Sequence, residues 1–319
     1  MSIKTTLRAV LLLGALATAP QALADDTMAT LGAGGLVLAK SADIRMASED
    51  LYMSPDAVRV HYTFTNDSKA DIDAIVAFPL PDVDNFELTN QPMRERKSTG
   101  TNFMGFQLKV EGKPVTPQLE VHAMVGGKDV TRLVQDAGLP LSALGGVMYK
   151  ALEKLDPKKR AALIKAGVLE DGGPDGTMAK WTTQTRFFWH QKFPAGKTIA
   201  IDHSYEPVTG GFHYSTLPDY DKQYCIDKDT TALIAKRQTV AAASTQGELE
   251  ALDTKFIIVT ANNWKAPIGR FHLTLDKLKP QNVLSLCWGP DLKKTGPTTF
   301  ESTRLNFAPA HDIDMLVVY

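Results

Sequence analysis

The sequence predicts a mainly β, α+β protein, in which antiparallel β-sandwich-like regions are separated by a helical insertion. Three observations predict it. In residues 57–81, AVRVHYTFTNDSKADIDAIVAFPLP, Val58, Val60, Tyr62 and Phe64 alternate with Arg59, His61 and Thr63, the pattern of a strand with one dry face and one wet face. Between Gly126 and Lys180 the apolar spacing becomes helical and capping residues appear. From Trp181 the period-2 runs return and continue to Tyr319.

Taken in order, residues 1–24 read as a signal peptide. Lys4 and Arg8 form a basic start, Ala9 to Ala17 is apolar, and Ala22-Leu23-Ala24 fits the small-x-small cleavage pattern. The exported chain is therefore expected to begin at Asp25 and to reside in the periplasm of a Gram-negative bacterium. The apolar segment is well short of the ~18 residues of a spanning helix, and no later segment is apolar enough to be one. Of 35 Lys and Arg, loss of Lys4 and Arg8 leaves 33 against 36 Asp and Glu, a net charge of −3. That balance argues against nucleic acid or an anionic membrane surface as partner, since both call for a basic field. In an exported protein the two cysteines, Cys225 and Cys287, most simply form one disulfide.

Residues 25–125 read as an N-terminal β domain. Gly32-Ala33-Gly34-Gly35 has no strand before it and no third glycine of a dinucleotide fingerprint, and reads as a turn or β-edge. Ile44-Arg45-Met46 and Leu51-Tyr52-Met53 flank Ala47-Ser48-Glu49-Asp50, which reads as a polar hairpin loop. The two strands of 57–81 turn on Asn66-Asp67-Ser68 and end in Pro79-Leu80-Pro81. A polar connection runs to Gly100. Alternating runs at Phe106 to Val110 and Leu119 to Ala123 then form a hairpin around Glu111-Gly112-Lys113-Pro114.

Residues 126–180 read as the helical insertion. A first helix opens near Asp129 and closes at Gly138-Leu139-Pro140; Ser142 to Leu155 reads as a second. Asp156, an N-cap followed by Pro157, opens a third that runs to Ala166. The acidic loop Asp171 to Gly176 lacks the spacing of a calcium loop.

Residues 181–319 read as a C-terminal β domain. Trp181, Thr183, Thr185, Phe187, Trp189 and Phe193 share one face of a long strand, which turns at Pro194-Ala195-Gly196-Lys197 into Ile199, Ile201, His203 and Tyr205. Asp227 to Gln238 and Ser244 to Leu252 read as helices, and Phe256 to Val259 as a strand buried on both faces. Short alternating runs follow, the last being Ile313, Met315, Val317 and Tyr319. It ends on an aromatic, like the last strand of an outer-membrane barrel, but the helical insertion does not fit a barrel and it reads as a sandwich strand.

No G-x-S-x-G elbow, H-E-x-x-H, P-loop or paired C-x-x-C is present, so the sequence assigns no catalytic residue, metal ligand or cofactor. The candidates for binding are few. His203 shares the dry face of its strand with Ile199, Ile201 and Tyr205 and reads as a hydrogen-bonded core histidine. The sharper alternative pairs it with His213 across the Pro207 to Gly211 turn, helped by Tyr205 and Tyr214, although a third metal ligand is missing. Trp264, after Asn262-Asn263, either offers an exposed indole to a glycan or partner or folds back on the sandwich. His61, His190 and His272 read as solvated.

The leader followed by DDTMATLGAGGLVLAKSADIRMASEDLYMS, then VRVHYTFTNDSKADIDAIVAFPLPD and FFWHQKFPAGKTIAIDHSYEPVTGG, resembles the bacterial exported family catalogued as domain of unknown function 4424. The resemblance covers essentially the whole chain after the leader and implies export, but transfers no catalytic residue. The strand pair ending in Phe-Pro-Leu-Pro is also similar to the vault and inter-alpha-trypsin type β domain, a likeness of about two dozen residues that bears on fold alone. The expected function is a non-catalytic periplasmic binding or envelope-associated module that recognises an envelope protein, a glycan or a peptide. The alternative is a periplasmic hydrolase with a dispersed site around His203, His213 and Asp202.

Overall fold

A computed structural model describes residues 25–32, 35–86, 102–143, 147–173, 176–214, 218–245 and 249–319. The expected signal peptide and most of the polar connection before Gly100 lie outside the described residues. The chain is mainly β with antiparallel sheets and few helices.

Among the described residues, one sheet runs in the order Lys128–Asp129, Gln118–Val125, Thr182–Phe193, Ile72–Pro79, Thr27–Gly32, Gly35–Ala39, with Val83–Asp84 also on Thr182–Phe193. A longer sheet runs Lys293–Lys294, Thr299–Phe307, Ile268–Asp276, Ile44–Met53, Val58–Asn66, Thr198–Tyr205, Gln107–Val110, Lys113–Val115. Their facing sides build one core, in which Phe78, Phe187 and Trp189 of the first sheet meet Tyr62, Phe64 and Ile201 of the second. Strands from before and after the 126–180 segment pair with one another in both sheets, so the two β regions share one hydrophobic interior.

A third sheet, Thr209–His213, Glu250–Phe256, Ile313–Val318, Val283–Ser285, turns Phe256, Met315 and Val317 into that interior. Its other side, with Ala251, Leu316 and Val318, is covered through Ile234 and Ala241 of the helix Lys228–Thr245. The Cys225–Cys287 disulfide is formed and ties the segment before this helix to the chain beyond Val283–Ser285.

The 126–180 segment holds the helices Thr131–Ala137, Met148–Glu153 and Pro157–Lys165 and the small hairpin Leu169–Asp171 with Thr177–Ala179. Gly138 ends the first helix at φ +81°, a conformation that glycine adopts without a Cβ penalty. Asp156 caps the third, accepting from the backbone N–H of Lys158 and Lys159 at 3.0 Å, with Pro157 at the first helical position. Helical structure within Ser142 to Leu155 is confined, among the described residues, to Met148–Glu153.

Four expectations are corrected. Phe256 to Val259 is not a strand, since Glu250–Phe256 ends at Phe256 and a 3-10 turn starts at Val259. The run Phe106 to Val110 does not pair with Leu119 to Ala123: Gln107–Val110 turns back into Lys113–Val115 in the long sheet, whereas Gln118–Val125 joins Thr182–Phe193 in the first sheet. Of the helix expected at Ser244 to Leu252, Ser244 and Thr245 are the last residues of the helix Lys228–Thr245, Glu250 to Leu252 open the strand Glu250–Phe256, and residues 246–248 lie outside the described residues. That strand sits between Thr209–His213 and Ile313–Val318, and pairing on both sides overrides its weak local preference.

Ala47-Ser48-Glu49-Asp50 is not a hairpin loop either: Ile44–Met53 is one strand with a bulge between Met46 and Ser48. The extra residue, Ala47, shifts the parity, so Ile44 and Met46 before it and Glu49, Leu51 and Met53 after it all point into the core. Gly269 makes room for the bulge, since a Cβ there would stand 2.5 Å from the Ala47 carbonyl oxygen.

Candidate functional site

The long sheet carries a different chemistry on each side, and period 2 decides which residue goes where. On the outer side, register aligns Thr303, His272, Asp50, His61, Asp202 and Lys109 in one row across six strands. Neighbouring strands are about 4.8 Å apart, so each member of the row stands beside the next. His61 Nδ1 lies 2.7 Å from Asp202 Oδ1, and Arg270 donates to Asp50 at 2.7 Å. In the adjacent row the Arg59 guanidinium sits 3.8 Å over the ring of Tyr52, whose hydroxyl donates to Asp276 at 3.1 Å. These rows form an open groove of about 480 Å³ lined by Asp50, Tyr52, Arg59, His61, Lys109 and Asp202, with buried Val60 and His203 beneath its floor. Both signs of charge are present, and the strands that hold them are braced by the aromatic core below.

On the inner side lies a buried polar cluster. Asp25, Asp26 and Glu49 are each 0% exposed. Tyr62 donates its hydroxyl to Asp25 Oδ1 at 2.7 Å, and the Asp26 backbone N–H donates to the same oxygen at 2.8 Å. Trp264 donates its indole N–H to the carbonyl of Asp26 at 2.6 Å. Burial pushes the Asp25 carboxyl up to about 8 and raises those of Asp26 and Glu49 well above the ordinary carboxylate range.

His203 stands beside the cluster, boxed by Phe78, Phe106, Tyr62 and Trp189 with ring centroids 4.8, 5.1, 5.4 and 5.5 Å away. Desolvation lowers this imidazole to about 3, so the ring is neutral near pH 7. Its 3.5 Å approach to Asp26 Oδ1 is therefore a polar contact rather than an ion pair.

The structure places the sequence candidates as follows. His203, Tyr205, Tyr214 and Trp264 are 2, 5, 7 and 4% exposed and belong to the core; for His203 and Tyr205 this is the dry parity of their strand, and for Trp264 it is the indole folded back on the sandwich. The side chain of His213 lies outside the described residues. Asp202 and His203, adjacent in sequence, project to opposite sides of the sheet, so Asp202 joins His61 rather than His203. His61 lies on the wet face as expected. The sequence reading missed Asp25, Asp26 and Glu49, because Asp25-Asp26 read as the start of an exported chain and Glu49 as part of a loop. The signal that could have found Glu49 is the parity break between Met46 and Leu51. Among the described residues no three His, Cys, Asp or Glu side chains are placed to hold a metal ion, and no helix is long and apolar enough to cross a membrane.

A family model described as Domain of unknown function (DUF4424) matches residues 24–316. The chain belongs to the DUF4424 family. No protein with a curated description matches this DUF4424 chain. Among solved structures it is similar to a crystal structure at 2.33 Å of a candidate nutrient-binding protein from Legionella pneumophila, with 14% identity and a TM-score of 0.46 over 92% of this chain and 72% of that one.

Proposed function

We propose that the protein is an exported, non-catalytic binding module of the cell envelope, and that its recognition surface is the outer groove of the long sheet. The observation that carries this reading is the row Asp50, His61, Asp202 and Lys109, which sets two carboxylates, an imidazole and an ammonium group at strand spacing on a rigid support. Such a row complements a ligand that itself bears both charges on an extended backbone. A short peptide, free or within an envelope protein, has that chemistry. Export is supported by the leader-like residues 1–24 and by a disulfide, which suits an oxidising compartment.

The test is a thermal-shift and calorimetric screen of short peptides with free termini against the exported protein, repeated on Lys109→Glu and Asp202→Lys. Binding that both reversals abolish supports the reading, and recovery of the peptide uncut separates a binding module from a hydrolase. Binding that survives both reversals moves recognition off the groove.

A further inference from the structure

Three carboxyl groups that share a dry pocket need a positive charge or protons, since an isolated buried carboxylate is too costly to persist. Asp25 Oδ2, both carboxylate oxygens of Asp26 and both of Glu49 are buried without a hydrogen-bond partner, as are both ring nitrogens of His203 and the Tyr205 hydroxyl. His203, 3.5 Å from Asp26 Oδ1, and Tyr205 leave further unsatisfied polar atoms beside the acids. No described Lys or Arg forms an ion pair with the three acids, and the aromatic box keeps His203 neutral.

Asp25, the first described residue, already lies within this pocket. Asp25, Asp26 and Thr27 are all fully buried, held by Tyr62 on the first, Trp264 on the second and the Asn263 amide, 3.1 Å from the hydroxyl of the third. In the uncut chain the nitrogen of Asp25 belongs to a neutral amide. Hydrolysis of the Ala24–Asp25 bond by a leader peptidase adds water across it. Ala24 leaves with a carboxylate, and the Asp25 nitrogen becomes an amine whose ordinary pKa of about 8 makes it an ammonium near neutral pH.

We propose that this α-ammonium group is the cation the pocket is built to hold, so that removal of the leader completes the core. The proposal rests on the export reading given above. An ammonium brings three N–H donors for the orphaned oxygens, and its tether places it within one residue of both Asp25 and Asp26. A metal ion is the poorer occupant, because no three ligating side chains are placed for one among the described residues. The uncut chain, lacking the charge, must keep its acids protonated or wet. It is the less stable form, and the stability gained by cutting arrives only with the leader's removal.

The test uses the exported chain. Its N-terminal mass is read first; a chain left uncut or cut elsewhere overturns the cleavage site and with it the proposal. If the chain starts at Asp25, its α-amine is labelled by reductive methylation in the folded and the denatured protein, and folding is expected to slow the reaction by about tenfold or more, as for a group reached only by opening. Equal labelling means an exposed terminus and overturns the proposal. Chains prepared to start at Asp25 or at Ala24 are then compared. The added residue is expected to lower the Tm on the order of 5 °C, and Glu49→Gln to shrink that difference. Equal melting of the two chains, or a loss of stability on chelation in place of one on extension, would assign the pocket to something other than the terminus.

Discussion

The indole N–H of Trp264 and the backbone carbonyl of Asp26 meet at 2.6 Å inside the core, joining the 3-10 turn Val259–Asn263 to the first described strand. Trp264→Phe keeps most of the ring but strands that carbonyl. A loss of about 1–3 kcal/mol is expected for a buried acceptor left unpaired, measured by urea unfolding. A loss under a few tenths would show that the carbonyl finds another donor.

Asp253, in the middle strand of the third sheet, is pushed up to about 6 by burial. A carboxyl whose folded pKa lies above its unfolded value near 3.8 binds more protons when folded. Its contribution is fully present below that lower value and is lost as pH rises through 6. The loss over this window amounts to at most about 3 kcal/mol. Stability measured from pH 4 to 7 should therefore fall less steeply in Asp253→Asn than in the natural protein. Parallel curves would remove Asp253 as the cause.

Gly269→Ala puts a methyl group against the carbonyl of the bulged residue Ala47. Overpacking of this kind costs roughly 1–3 kcal/mol, and here it presses on the bulge that turns Glu49 inward. Denaturant unfolding of the variant, with Gly211→Ala as a comparison whose Cβ meets only Leu252 at 3.4 Å, should show the larger loss at Gly269.

Reduction of Cys225–Cys287, or replacement of both by serine, opens a loop of 62 residues. The chain-entropy model puts the loss at about 4 kcal/mol. Calorimetry of the oxidised and the double-serine proteins measures it.

His61→Ala and Asp202→Ala remove a half-exposed pair, with side chains 46 and 40% accessible. Solvent screening keeps such a pair to about 1 kcal/mol or less. Stability should hardly move, while peptide binding in the groove should be lost.

Much of the β framework could be read from local pattern, and the exceptions have physical causes. Thr182–Phe193 alternates throughout and Val58–Asn66 over most of its length, and both appear where the alternation puts them; Ile72–Pro79 appears where its apolar run puts it. Ile44–Met53 escapes the same reading because its bulge breaks the parity that identifies strands, and the polar run at the break resembles a turn. Glu250–Phe256 escapes it because neighbours from distant sequence decide its state. The groove was legible only in part. His61 could be placed on a wet face, but nothing local joins it to Asp202, which lies 141 residues away.

The parallel pairing of Ile44–Met53 with Ile268–Asp276 also dictates an order of events. Asp50 and Arg270, which meet across it, are 220 residues apart. Until the second of these strands has emerged, whether from a ribosome or from a translocation channel, the first has no neighbour on that side and its N–H and C=O groups stay unpaired there. Contacts of such long range make folding slow. For that interval the open edge of Ile44–Met53 is exposed to edge-to-edge association.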